Sequence, residues 1–224
     1  MFSSIFLHTS VSAQFCGVSG QITTITNQAE LDSLQSCVNF YGDLHINSDT
    51  WPLNNQLDFS NAFSNLQTIE GDLTFSHPND DISMPNLVSV GGSLSITSNH
   101  VSTHSSYTQT HYSPYLNSIS FPSLQTIGGG LTLTDNRWVQ TINFNALTSV
   151  SSIYIKELAY SVGAGLAMNT FNSLTSCGAL EFNNGKFNGL SGFNNITSLS
   201  SLRITQSLDQ SGSDISGFNL LNHI

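Results

Sequence analysis

The chain reads as an all-β solenoid, a coil of short parallel strands stacked rung on rung, and three observations predict it. An eleven-residue motif recurs as NLQTIEGDLTF (65–75), NLVSVGGSLSI (86–96) and SLQTIGGGLTL (123–133). Each copy ends in alternating residues, as in D-L-T-F, so that Leu73 and Phe75 face one way and Asp72 and Thr74 the other. The equivalent positions Leu73, Leu94, Leu131, Ile153, Leu180 and Leu202 are separated by 21, 37, 22, 27 and 22 residues. A short strand returning at a period of about 20–29 residues cannot bury its apolar side alone, but stacked copies can.

Taken in order, residues 1–13 (MFSSIFLHTSVSA) read as a signal peptide truncated at its start. The alternative is an ordinary apolar N-terminus. Residues 14–224 then form the solenoid domain. Asn27-Gln28-Ala29-Glu30 has the form of a capping box, and Ala29, Leu31 and Leu34 give an apolar stripe. A helix over roughly 27–36 therefore caps the first coil, and Cys16 and Cys37, which flank it, are a natural disulfide pair in a secreted chain. Strands are expected near 43–46, 72–75, 93–96, 130–133, 152–155, 179–182 and 201–204, in one parallel sheet. The copies at 144–155, 171–182 and 193–204 lack one residue at the turn, and Gly217-Phe218 opens a further copy. Gly91-Gly92 and Gly128-Gly129-Gly130 are expected to turn corners with positive φ. Cys177 fills the inward slot of Ile69, Val90, Ile127, Val150 and Leu199, which makes it a buried, inert thiol. The sequence stops at LLNHI without a capping helix, which reads as an incomplete C-terminus.

Composition narrows the function. Only 8% of residues are charged, the formal net charge is −10, and the four basic residues are Arg137, Lys156, Lys186 and Arg203. So few cations cannot neutralise a run of phosphates, so nucleic acid and anionic membrane surfaces are poor partners. No apolar run is long enough for a transmembrane segment, and no cofactor is called for. The Ser, Thr, Asn and Gln that make up the polar remainder suit an extracellular or cell-surface exterior.

Cys16, the I-T-T-I segment, Asn27 to Leu34, Cys37 and Gly42-Asp43-Leu44, followed by L-x-x-I-x-G-x-L-x-I repeats, resemble a receptor L domain over about residues 16–205. Such domains occur in the ectodomains of insulin and epidermal growth factor receptors and in fungal GPI-anchored cell-wall proteins. The weakly charged Ser/Thr/Asn texture is closer to the latter. The resemblance implies a right-handed parallel β-helix, leucine-rich-repeat-like, with an N-terminal capping α-helix. It also implies no active site, and binding through variable surfaces rather than a motif. Neither a furin-like Cys-rich region nor a kinase follows in the sequence.

The largest break in the period is TSNHVSTHSSYTQTHYSPYLNSIS (97–120), 16 residues longer than its shortest counterpart (37 against 21). Its Tyr107, Tyr112 and Tyr115 offer flat apolar faces with hydroxyl handles for a sugar ring or protein partner. His100, His104 and His111 lie among them without Cys or carboxylate company, which argues against a metal site. An outward column of His45, Thr74, Ser95, Thr132, Tyr154, Glu181 and Arg203 adjoins that loop, and Ser95, Thr132 and Tyr154 are its candidate binding residues. Asp43 and Asp72 fall on neighbouring rungs, a spacing that suits Ca²⁺ or an acid/base pair. The middle rungs carry only Ser, Gly and Thr. Asn195-Ile196-Thr197 is an N-glycosylation sequon beside the core. The expectation is a non-catalytic extracellular protein contacting cell-wall polysaccharide or a protein partner; the alternative is a β-solenoid carbohydrate-active enzyme.

Overall fold

The computed structural model describes residues 14–48, 57–98, 116–159, 166, 168–187, 189–205 and 217–222. Strand β1 (Phe15–Ile25) leads into helix α1 (Gln28–Asp32), a 3-10 turn (Ser33–Ser36) and β2 (Asn39–Asn47). Next come β3 (Thr68–Ile69), β4 (Leu73–Ser76), β5 (Ile82–Ser83), β6 (Ser89–Val90), β7 (Leu94–Thr97) and β8 (Ser118–Ser120). The remaining strands are β9 (Thr126–Thr134), β10 (Thr141–Asn143), β11 (Ser149–Lys156), β12 (Ser176–Asn183) and β13 (Ser201–Thr205). Ten of them form one sheet, with β3–β4 and β6–β7 each two halves of a rung, so among the described residues the sheet has eight rungs. Every pairing in it is parallel. The molecule is a parallel β-solenoid.

Register follows the repeat residue for residue. Leu44, Leu73, Leu94, Leu131, Ile153, Leu180 and Leu202 pair in succession. All but Leu202 are buried, and that residue lies on the last rung. The aromatic that opens each later copy builds a second column. Phe121, Phe144, Phe171, Phe193 and Phe218 stack with ring centroids 5.3, 5.6, 5.1 and 5.8 Å apart. Offset stacks of this kind add roughly 0.5–1.5 kcal/mol per pair beyond the burial itself. Phe218 thus continues the coil, and Asn222 N–H donates to Thr197 O at 2.9 Å across the same step.

The deleted turn residue is visible as a register shift. Ile127 pairs with Val150 and Gly130 with Ser152, so two residues of β9 face the single Ser151 of β11. Ser151 Oγ donates to Gly128 O at 2.6 Å and closes the bulge. Between β11 and β12, both shortened copies, the register runs on without a shift.

The N-terminal cap forms as expected. Asn27 Oδ1 accepts from Glu30 N–H at 3.0 Å, and Glu30 reaches back to Thr26 N–H at 2.7 Å, one residue earlier than a standard capping box. Leu31 and Leu34 are buried against the core. Cys16 and Cys37 are disulfide-bonded, their Cα atoms 5.8 Å apart. Cys177 is a free, buried thiol, and burial pushes it up to about 11.

Three features differ from the sequence reading. Ala29 is exposed, because the apolar stripe narrows to the two leucines where the short helix passes into a 3-10 turn. Gly91, Gly92 and Gly128 to Gly130 do not have positive φ. They are glycines because rungs approach closely: a Cβ on Gly92 would overlap Asp72 Oδ1, and one on Gly129 would overlap Ser93 Oγ. A second, three-stranded parallel sheet of β5, β8 and β10 also lines the coil, stacking Ile82, Ile119 and Ile142. No helix among the described residues is long and apolar enough to cross a membrane.

Candidate binding face

Strands of a parallel coil present their outward residues in straight columns, one residue per rung at about 4.8 Å. The predicted column forms: His45, Thr74, Ser95, Thr132, Tyr154, Glu181 and Arg203 pair in succession. Ser95, Thr132 and Tyr154 are half-buried within it. Two residues further along each strand runs a parallel column of Asn47, Ser76, Thr97, Thr134, Lys156, Asn183 and Thr205. His45 Nε2 lies 2.9 Å from Ser76 Oγ and ties the two columns together, and the Thr97 and Thr134 hydroxyls are 3.0 Å apart within the second. From rung three to rung five these two columns therefore carry only short hydroxyl side chains, with Asp72 beside Thr74 on rung three. Beyond it Arg203 and Glu181 pair at 3.7 Å, an exposed contact of small energetic weight. Tyr107, Tyr112 and Tyr115, with His100, His104 and His111, lie outside the described residues.

The Asp43–Asp72 column has a structural role. Asp43 Oδ1 accepts from Asp72 N–H at 2.8 Å, and Asp72 Oδ1 accepts from Ser93 N–H at 2.6 Å. Ser93 Oγ continues the series by accepting from Gly130 N–H at 3.3 Å. One oxygen of each carboxylate is thus committed to a backbone amide of the next rung. Asn195 is exposed, and its Nδ2 donates to Asn172 O at 2.5 Å. It belongs to a second inter-rung series in which Asn65 and Asn86 donate to Gln35 O and Ser64 O.

Sequence reading did not single out two further groups. One lies where strands end: His77, Asp135, Glu157 and Asn184 all have φ between 53° and 60°, and their amides donate to the following rung. Within it Glu157 is ion-paired with Arg137. Burial first, then the neighbouring Glu157 charge, raises the Asp135 carboxyl above its ordinary range. Burial also opposes ionisation of Glu157, but the Arg137 hydrogen bond and charge outweigh it and hold that carboxyl low. Of the two carboxyls, Asp135 is the one whose surroundings favour the protonated form.

The other group is a cleft of about 490 Å³ across β6, β9, β11 and β12. One wall is the column Ser89, Thr126, Ser149 and Ser176; the other is Gly91, Gly128, Ser151 and Gly178. The signal for it was present, since the residue before the inward Ile, Val, Cys or Leu of each copy is Thr or Ser in all six copies, Thr68 to Ser198. Among the described residues no group of three His, Cys, Asp or Glu could hold a metal ion.

No family model, no curated protein and no solved structure matches this chain.

Proposed function

We propose that the chain is a non-catalytic extracellular or cell-surface protein of receptor L-domain type, and that its sheet face contacts cell-wall polysaccharide or an extracellular protein. The observation that carries the reading is the uninterrupted hydroxyl surface of Thr74, Ser95 and Thr132 beside Ser76, Thr97 and Thr134. Such a surface offers a donor and an acceptor at every position and no net charge, which suits hydroxyl-rich ligands. The Cys16–Cys37 bond supports an oxidising compartment. Attachment through a GPI anchor and glycosylation at Asn195 are part of the same proposal.

The test compares the full chain with a Tyr154→Ala variant and a deletion of 100–115 bridged by a Gly-Ser link. Binding to cell-wall polysaccharide and to intact cells is the readout. Loss in either variant, with the fold intact by circular dichroism, fits the proposal; unchanged binding in both places the contact elsewhere. A second reading, a carbohydrate-active enzyme, would rest on the contacting carboxyls Asp135 and Glu157, one raised and the other held low by Arg137. Release of reducing sugar from wall polysaccharide, abolished by Glu157→Gln, would establish that reading instead.

A further inference from the structure

We propose that the cleft across β6, β9, β11 and β12 is a subsite for an uncharged, extended polysaccharide chain lying along the coil axis, with the Phe15–Tyr41 ring pair as a stacking platform towards its N-terminal end. This rests on the reading of the molecule as a polysaccharide-binding protein.

The cleft exists because one of its walls is made almost entirely of glycine. Gly91, Gly128 and Gly178 leave the backbone bare where neighbouring columns carry side chains. They cannot be exchanged freely, since a Cβ on Gly91 would overlap Glu70 O and one on Gly128 would overlap Gly91 O. The opposite wall is hydroxyl at every rung. Among the described residues no charged side chain lines the cleft, so neither an acidic nor a basic polymer has a counter-ion there.

Spacing decides between a peptide and a glycan. The hydroxyls recur at the rung interval of about 4.8 Å, whereas an extended peptide advances only about 3.3 Å per residue and falls out of step within two rungs. An extended pyranose advances by close to one rung. Four rungs span about 14 Å, room for roughly three sugar residues. The backbone groups of this part of the sheet are already paired with neighbouring rungs, so strand addition to a peptide is not on offer.

The same two columns continue towards the N-terminus. Ser89 is preceded by Thr68, Asn39 and Phe15, and Phe40, the neighbour of Tyr41, pairs with Ile69, the neighbour of Glu70. Phe15 and Tyr41 are 60% and 41% exposed, and their rings stack with centroids 5.6 Å apart. Between platform and cleft stands Glu70, its carboxylate drawn back onto Ser19 Oγ at 2.7 Å and Gly42 N–H at 2.9 Å. Exposed rings beside a polar groove supply the apolar contact that a sugar face needs.

The test titrates soluble β-1,3-glucan, chitin and mannan oligosaccharides into the full chain by calorimetry, with polygalacturonate as the charged control. Thr126→Gln combined with Ser176→Gln narrows the cleft from two exposed positions, and Tyr41→Ser removes half of the platform. The expected result is binding of a neutral oligosaccharide, weakened at least about tenfold in Kd by the double variant and several-fold by Tyr41→Ser. Amide shifts in the unsubstituted protein should centre on Gly91, Gly128 and Gly178, a readout independent of variant folding. Neutral-glycan binding that survives in folded variants, with shifts elsewhere, overturns the cleft and leaves the polysaccharide reading standing. Preference for polygalacturonate overturns the assignment of an uncharged ligand. Binding to intact cells without affinity for any glycan overturns both and leaves a protein partner.

Discussion

Asp72 shows why a Gly-Asp step belongs in this repeat. Its Oδ1 caps Ser93 N–H at 2.6 Å and fills the volume that a Cβ on Gly92 would need. The glycine of one rung and the acid of the rung before it are therefore a single device, repeated by Gly71 over Asp43. Asp72→Ala leaves the amide without its partner and is expected to cost about 1 kcal/mol. Asp72→Asn keeps an acceptor oxygen in place and should cost less than half as much. Urea unfolding with an unchanged m-value checks both. Equal losses would mean that the carboxylate acts through its charge and not through the hydrogen bond.

At the scale of elements the phenylalanine column sets how firmly one coil holds the next. Phe144 is fully buried between Phe121 and Phe171, while Phe218 is only partly buried at the end of the stack. Phe144→Ala should destabilise by roughly 3–5 kcal/mol through lost burial and a cavity that flanking rungs cannot fill. Phe218→Ala should cost far less, and thermal melts of the two variants will show the difference. This column was legible in the sequence because Phe or Met opens each of the six copies, at 63, 84, 121, 144, 171 and 193. β1 was not, because Gly17 and Gly20 take left-handed conformations and the register with β2 breaks between Gly17 and Ile22. The second sheet was missed because strands of two or three residues are too short to show alternation. The column of Ser95, Thr132 and Tyr154 was legible for the same reason as the core, being one residue away from it. The Asp135–Glu157 contact was not, since it depends on left-handed corners that no spacing records.

Across the whole molecule charge is divided along the axis. All four basic residues follow position 136, and nine of the fourteen acids precede position 82. Most of the described acids in this part of the sequence accept from backbone amides. Asp80 accepts from Phe59 N–H at 3.3 Å, Asp81 from Asn117 and Ser118 N–H at 2.8 Å each, and Asp58 from Ser60 N–H at 2.9 Å. Backbone hydrogen bonding at Thr26 holds Glu30 below the ordinary carboxylate range, and bonding to Ser60 does the same for Asp58. A carboxyl lowered in the folded state contributes stability above its unfolded value and loses it as pH falls through the folded one. Mutual repulsion among the acids works the other way, since protonation relieves it. Between exposed groups more than about 10 Å apart, however, salt screens that repulsion, whereas a contact hydrogen bond is not screened. Acidification from neutrality to below about pH 4 is therefore expected to loosen the N-terminal cap and first rungs before the phenylalanine-stacked C-terminal rungs. Hydrogen exchange should show it as faster exchange at Leu31 and Leu44 with Ile153 and Leu180 still protected. Glu30→Gln should already exchange faster in the cap at neutral pH and respond less to acid. Uniform loosening along the coil, or earlier loss at the C-terminal rungs, would show that self-repulsion outweighs the carboxylate–amide bonds.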